Sequence, residues 1–166
     1  MSVIYERKSI RVFKKDGVNK TLLEEIIHAA MYSPSAGNMQ PWHFIIIDDK
    51  EVLKKCNEIK GGSKPLDTAP VAILVCGDLD LEKTPMISHA DLGAATQNML
   101  LRTKELGLDS CWLSIFPREE VMNGFIKTFK LPNNVYPFCL VAIGYGNEQK
   151  ASEERFKKER IHYNEW

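Results

Sequence analysis

The sequence predicts a single domain, a mixed α/β sandwich around one sheet, on three observations. Apolar residues recur at helical spacing in several segments, and compact apolar runs of strand length lie between them. No repeat, linker or low-complexity tract interrupts the chain. At 166 residues the chain is near the usual size of one domain. Folding at that length buries roughly 70% of the unfolded surface, enough for a core that needs no disulfides.

The elements follow in order. Residues 1–17 read as a helical turn or extended arm ending at the Asp16-Gly17 turn. Leu22, Leu23, Ile26, Ile27, Ala30 and Met31 fall at helical spacing and predict a helix over 19–31. Asn19 or Thr21 caps it, the latter with Glu24 as a capping box, and Pro34 ends it. His28 in that helix reads as an ordinary surface or boundary histidine. WHFIIID (42–48) reads as a strand, and 51–59 as a short helix closed by Gly61-Gly62. PVAILVCG (70–77) is apolar on both faces and reads as a buried strand. Residues 86–106 form the longest helix, and its apolar positions, from Met86 to Leu101, cover more than one stripe. Such a helix is central or faces a partner. Gly107 stops it. SCWLSIF (110–116) is a strand, and Pro117 opens a helix over 118–129. YPFCLVAI (136–143) is a further strand. The last twenty residues are polar yet end on Ile161, Tyr163 and Trp166, so the tail is expected to dock on something.

Charge and cysteine usage narrow the function. Lys and Arg number 22, as do Asp and Glu. A protein that neutralises phosphates along a nucleic acid carries a basic excess, so no nucleic-acid partner is expected. The balance is uneven locally, with net +3 over residues 1–17 and net +1 over 150–166. The N-terminus lacks the apolar core of a signal peptide, and no stretch approaches about 18 uninterrupted apolar residues. The expectation is a cytoplasmic protein with no membrane partner. Cys56, Cys76, Cys111 and Cys139 are widely spaced, and the four histidines are scattered, so neither a metal site nor a disulfide framework is expected. P-loop, dinucleotide-fingerprint, G-x-S-x-G and H-E-x-x-H patterns are all absent.

Two segments differ from scaffold. Glu6-Arg7-Lys8-Ser9-Ile10-Arg11 combines guanidinium forks and a hydroxyl, groups suited to phosphate oxygens, although the same run also reads as a solvated basic arm. Ser33 to Trp42 (SPSAGNMQPW) packs two prolines, a glycine and two side-chain amides into ten residues between a helix and a strand. Proline stiffens such a loop, while glycine lets a flat polar ligand approach; an ordinary connection is the other reading.

Taken together, E-R-K-S-I-R-V-F, S-P-S-A-G-N-M-Q-P-W-H-F, H-A-D-L-G-A-A-T-Q-N-M-L-L, G-L-D-S-C-W-L and R-F-K-K-E-R-I-H-Y-N-E-W resemble the nitroreductase family of FMN-dependent oxidoreductases over nearly the whole chain. The resemblance implies an α+β fold, with a mixed, mainly antiparallel central sheet flanked by helices in an intertwined homodimer. FMN then lies at the subunit interface, and the tail, about 150–166, embraces the partner. Arg7, Lys8, Ser9 and Arg11 match the motif that holds the FMN phosphate and ribityl chain or nears the flavin's pyrimidine edge. Arg160, with Lys158 and Arg155 nearby, matches a second phosphate contact. Pro34, Ser35, Ala36, Asn38 and Gln40 match the loop that reaches the flavin from the other subunit. Leu113 and Ser114 lie in the segment, Trp112 to Ile115, whose backbone amides approach the ring. Asn57 and Lys60 are a further candidate pair.

The implied activity passes a hydride from NAD(P)H via flavin N5 to a small acceptor, such as a nitroaromatic, quinone or other conjugated compound, in a ping-pong cycle. The cofactor carries the chemistry, so no catalytic side chain is expected. The alternative is an FMN-binding flavin carrier or redox-responsive protein without turnover. Two features depart from the family. The chain is short near the active-site mouth, and Leu113-Ser114-Ile115-Phe116 stands where many members have glycine. A positive φ required there would fall on Ser114 or Ile115.

Overall fold

The computed structural model describes residues 2–82, 87–151 and 153–166. Four strands, β1 (Trp42–Ile47), β2 (Val71–Asp78), β3 (Asp109–Ser114) and β4 (Val135–Gly144), form one sheet in the order β1-β2-β4-β3. All three strand pairs are antiparallel, with a register shift between Val75 and Cys76. Among the described residues, parallel pairing occurs only as an isolated bridge, between Ser9 and Ser110. The helices among the described residues are α1 (Val3–Glu6), α2 (Lys20–Met31), α3 (Lys50–Ile59), α4 (Lys64–Thr68), α5 (Ile87–Glu105) and α6 (Glu119–Phe129).

The sheet is the middle of three layers. Ala72, Leu74 and Cys76 of β2 face Leu53, Cys56, Leu66, Val121 and Phe125 from α3, α4 and α6. Val71, Ile73 and Val75 face Leu23, Ile26, Leu92, Ala95 and Met99 from α2 and α5. Cover on both faces explains why β2 reads as a continuous apolar run although its neighbours are antiparallel. Each large aliphatic side chain buried this way contributes about 1.5–3 kcal/mol of transfer free energy. At Gly77 a Cβ would stand 2.5 Å from the Tyr136 ring, so only glycine fits there.

Helix boundaries follow their caps. Asn19 rather than Thr21 caps α2, its Oδ1 accepting the Thr21 N–H at 2.9 Å. Asp49 caps α3 through Glu51 N–H and Val52 N–H, which starts that helix at Lys50. The described part of the long helix starts at Ile87; Met86 lies outside the described residues. The apolar breadth of α5 is taken up by the sheet on one side and α2 on the other. Its buried Thr96 and Thr103 donate back to the Leu92 and Met99 carbonyls at 2.7 and 2.8 Å, which satisfies both hydroxyls inside the core. Helix α4 is too short to register as a periodicity and was not foreseen.

Strand β3 ends at Ser114, earlier than its apolar run, because Ile115 N–H and Phe116 N–H both turn onto the Phe138 carbonyl at 3.2 and 2.9 Å. Neither Ser114 nor Ile115 has a positive φ. Two features of the topology position the candidate site. Strands β1 and β3 are the opposite edges of the sheet, and they run antiparallel to each other. The start of β1 and the end of β3 therefore share one end of the sheet, about 14 Å apart across three strand spacings. Among the described residues no helix is long and apolar enough to cross a membrane.

Candidate functional site

The free edge of β3 carries one half of a candidate site. The N-terminal arm crosses it, with Ile10 N–H donating to the Ser110 carbonyl at 3.0 Å. Since the Ser110 carbonyl faces outward, the alternation of an antiparallel ladder turns the N–H and C=O of Trp112 and Ser114 outward too. Lys60, at the C-terminus of α3, confirms the direction by placing Nζ on the Ser114 carbonyl. Burial and then the charge of Arg118 lower the Lys60 ammonium below its ordinary pKa. The edge thus presents main-chain donors between a cation at one end and the basic arm at the other.

The arm is tied down from both chain ends. Lys8 Nζ donates to the Lys150 carbonyl at 2.5 Å, and Lys150 Nζ donates to the Ser9 carbonyl. Glu148 accepts the Arg11 N–H, which with Lys150 holds its carboxyl below the usual range. Farther along, Phe13 N–H donates to Thr68 Oγ1 at 3.0 Å and Asn147 N–H to the Val12 carbonyl at 2.8 Å. The Arg11 guanidinium touches the Ser9 carbonyl at 3.3 Å, while no hydrogen bond or ion pair engages that of Arg7 among the described residues. Arg11, Lys150 and Arg7 all pull on the Cys111 thiol, which burial nevertheless raises. A cation cluster therefore flanks β3, with Arg7 and Arg11 open to an anion and Lys8 already occupied.

Burial raises the other thiols as well: Cys76 and Cys139 to about 12 and Cys56 to about 11. All four stay protonated near neutral pH and lack nucleophilic character.

The loop after α2 forms the other half. Ala36–Asn38 make a 3-10 turn in which Gly37 (φ +59), Asn38 (φ +57) and then Gln40 (φ +51) are all left-handed. Non-glycine residues rarely adopt that conformation, and it concentrates at ligand-contacting loops. Gln40 N–H donates to Ser35 Oγ at 3.0 Å, and Gln40 Nε2 to Asn38 Oδ1 at 3.2 Å, so the two amides brace one another. Asn38, Met39 and Gln40 are exposed, as is Pro34. The loop leads into β1, at the edge opposite the arm.

The structure thus brings Arg7, Ser9 and Arg11 to the same strand as Leu113 and Ser114. Pro34, Ser35, Ala36, Asn38 and Gln40 form a separate group at the other edge. Lys158 and Arg160 sit on an exposed 3-10 turn, and no hydrogen bond or ion pair ties their side chains to the rest of the described residues. Around them Phe156, Tyr163 and Trp166 are 67%, 82% and 100% exposed. Asn57 and Lys60 divide: Asn57 spends its amide on Asp67 and the Ser63 N–H, whereas Lys60 reaches β3. Sequence reasoning missed Asp91 and Asn98, which hold the loop from α5. Their signal was two polar residues seven apart on one face of an apolar helix. It also missed Glu148, which nothing in its surroundings distinguishes.

These groups suit FMN by their donor set. Outward amides match the acceptor atoms of a flat heteroaromatic ring, and the arginines suit a phosphate.

The profile of the nitroreductase family matches residues 4–63 and 60–145. An Archaeoglobus fulgidus protein, provisionally named NADH dehydrogenase/NAD(P)H nitroreductase, is 41% identical over the whole chain and 98% of its own length. A provisionally named NADH oxidase from Clostridium acetobutylicum superposes with a TM-score of 0.95 at 36% identity, covering 99% of this chain and 100% of that one. An FMN-dependent nitroreductase from Clostridium difficile R20291 gives 0.91 at 29% identity, with 99% of both chains covered.

Proposed function

The chain belongs to the nitroreductase family, and on that premise we propose that it is an FMN-dependent NAD(P)H oxidoreductase. When bound, the flavin supplies a hydride carrier between NAD(P)H and a small acceptor, such as a nitroaromatic or quinone, the two taking the site in turn. The β3 edge carries the reading. Trp112 and Ser114 offer outward main-chain donors between Lys60 and the Arg7–Arg11 arm, an arrangement that a plain edge strand has no use for. Arg7 and Arg11 bind the phosphate, the β3 amides orient the ring, and Lys60 places positive charge at its edge. The names of the Archaeoglobus and C. difficile relatives support the cofactor and reductant.

The site is completed by a second copy. Within one chain the loop that holds Pro34, Ser35, Ala36, Asn38 and Gln40 lies at the sheet edge opposite the arm, so the two halves meet when another subunit brings its loop to this edge. The exposed aromatic tail supplies further contacts to the partner, and Lys158 and Arg160 add positive charge near the phosphate.

The test is a visible spectrum of FMN-reconstituted, desalted protein, repeated anaerobically with NADH or NADPH. A retained flavin band that bleaches is expected. A retained band that stays oxidised identifies a flavin binder without turnover, and loss of the band removes the site assignment.

A further inference from the structure

Two polar side chains on the buried face of α5 hold the loop from within the fold. Asp91, 8% exposed, accepts the Ala36 N–H on both carboxylate oxygens at 3.2 and 3.1 Å. Asn98, two turns along the same face, donates through Nδ2 to Ser33 Oγ at 2.7 Å and to the Ala29 carbonyl at 3.3 Å. One helix therefore fixes both ends of the turn around Pro34.

A carboxylate nearly shut off from water is costly unless donors face it. Nearby, Tyr136 and Ser88 hydrogen-bond each other and Glu82, which leaves the Ala36 amide as the hydrogen-bond donor to Asp91 among the described residues. Directly after that amide come the three left-handed residues Gly37, Asn38 and Gln40. Such a backbone persists when its surroundings over-determine it, and Asp91 supplies the fixed point from which it starts.

We propose that Asp91 is a positioning residue for the FMN site, setting the Ala36 amide and through it the Ala36–Gln40 turn that reaches the flavin of a second copy. This rests on the functional reading above. Asn98 secures the other end of the loop and has no such role.

The test uses the full-length protein, with amide hydrogen exchange measured without flavin and FMN binding followed by fluorescence quenching. Asp91→Ala is expected to speed exchange at Ala36 about tenfold and to weaken FMN binding about tenfold. Asp91→Asn, whose amide oxygen still accepts the bond, stays within about threefold of wild type in both. Asn98→Ala lowers thermal stability but leaves Ala36 exchange and FMN affinity within about threefold. Unchanged Ala36 exchange in Asp91→Ala overturns the proposal, as does an equal loss of FMN affinity in Asn98→Ala, which marks general destabilisation. Should Asp91→Ala not fold, Ala36→Pro removes the donor instead. Ser35 is already extended (φ −142°, ψ 153°), as a residue before proline must be, and normal FMN affinity in that variant overturns the proposal. If wild-type protein takes up no FMN, the functional reading fails and the role of Asp91 with it, while Ala36 exchange still reports whether the anchor exists.

Discussion

Along the edge of β3, position comes from the backbone ladder: Ser110 takes the arm, Trp112 and Ser114 face outward by alternation, and side-chain identity matters little. In the loop between α2 and β1, position comes from side chains. Asp91 holds the Ala36 amide and Ser35 the Gln40 amide, on either side of the left-handed Gly37 and Asn38, while Asn98 secures only the loop's entry. A half-site presented by main chain tolerates substitution but not loss of an N–H. A candidate half-site held by side chains is expected to fail when the holder of its turn, Asp91, is removed.

The largest effect is expected where the edge relies on charge. The Arg7→Ala/Arg11→Ala double variant should bind FMN about 100-fold more weakly without losing its fold, since each guanidinium forms charge-assisted bonds. Titration beside far-UV circular dichroism checks this, and unchanged affinity removes the arm from the site. Mixing that variant with a loop-broken chain should restore flavin binding in the hybrid, because one intact arm then meets one intact loop.

Ser114 separates main chain from side chain. Ser114→Pro deletes an outward N–H without breaking the β4 ladder and should weaken FMN binding about tenfold, whereas Ser114→Ala stays within about threefold. Equal effects would show that the hydroxyl, not the amide, faces the ligand. A smaller contrast lies in stability. Gly37→Ala places a Cβ at φ +59 and should cost about 1 kcal/mol in denaturant unfolding. Ser9→Ala, at a residue that bonds through its carbonyl, should stay within about 0.5 kcal/mol.

The mildest prediction concerns acid. Asp78 N–H donates to the Pro41 carbonyl at the loop's exit. Burial pushes the Asp78 carboxyl up, but His43, Asp80 N–H and Asn134 outweigh it and hold the group below its ordinary value of 3.8. A depressed carboxylate stabilises the fold above its unfolded pKa, and that contribution is lost as pH falls through the lowered value. Exchange at Trp42 and His43 should therefore rise below about pH 4 before exchange at Cys111 does, and simultaneous opening would erase the distinction.

Much of this was legible beforehand because it rests on local chemistry. The helix after Asn19, the doubly apolar strand at 71–78 and the basic arm announce themselves by capping, periodicity and charge. The segment from Ser33 to Trp42 stood out by its glycine, prolines and amides, but the left-handed backbone at Asn38 and Gln40 was not readable from them. Other features were not, since they depend on what the fold brings near. Asp91 looks like one polar residue in an apolar helix until Ala36 arrives 55 residues away in sequence. Lys8 and Lys150 look like free cations until each meets the other end of the chain.

By itself, then, the sequence determined the elements and the kinds of group available for an anion and a flat ring, because these follow from interactions within a few residues. The tertiary structure alone decided which backbone groups face outward, which cations are already engaged, and that the two halves lie at opposite sheet edges. Strand order and ladder alternation are properties of paired segments far apart along the chain, and no local pattern encodes them.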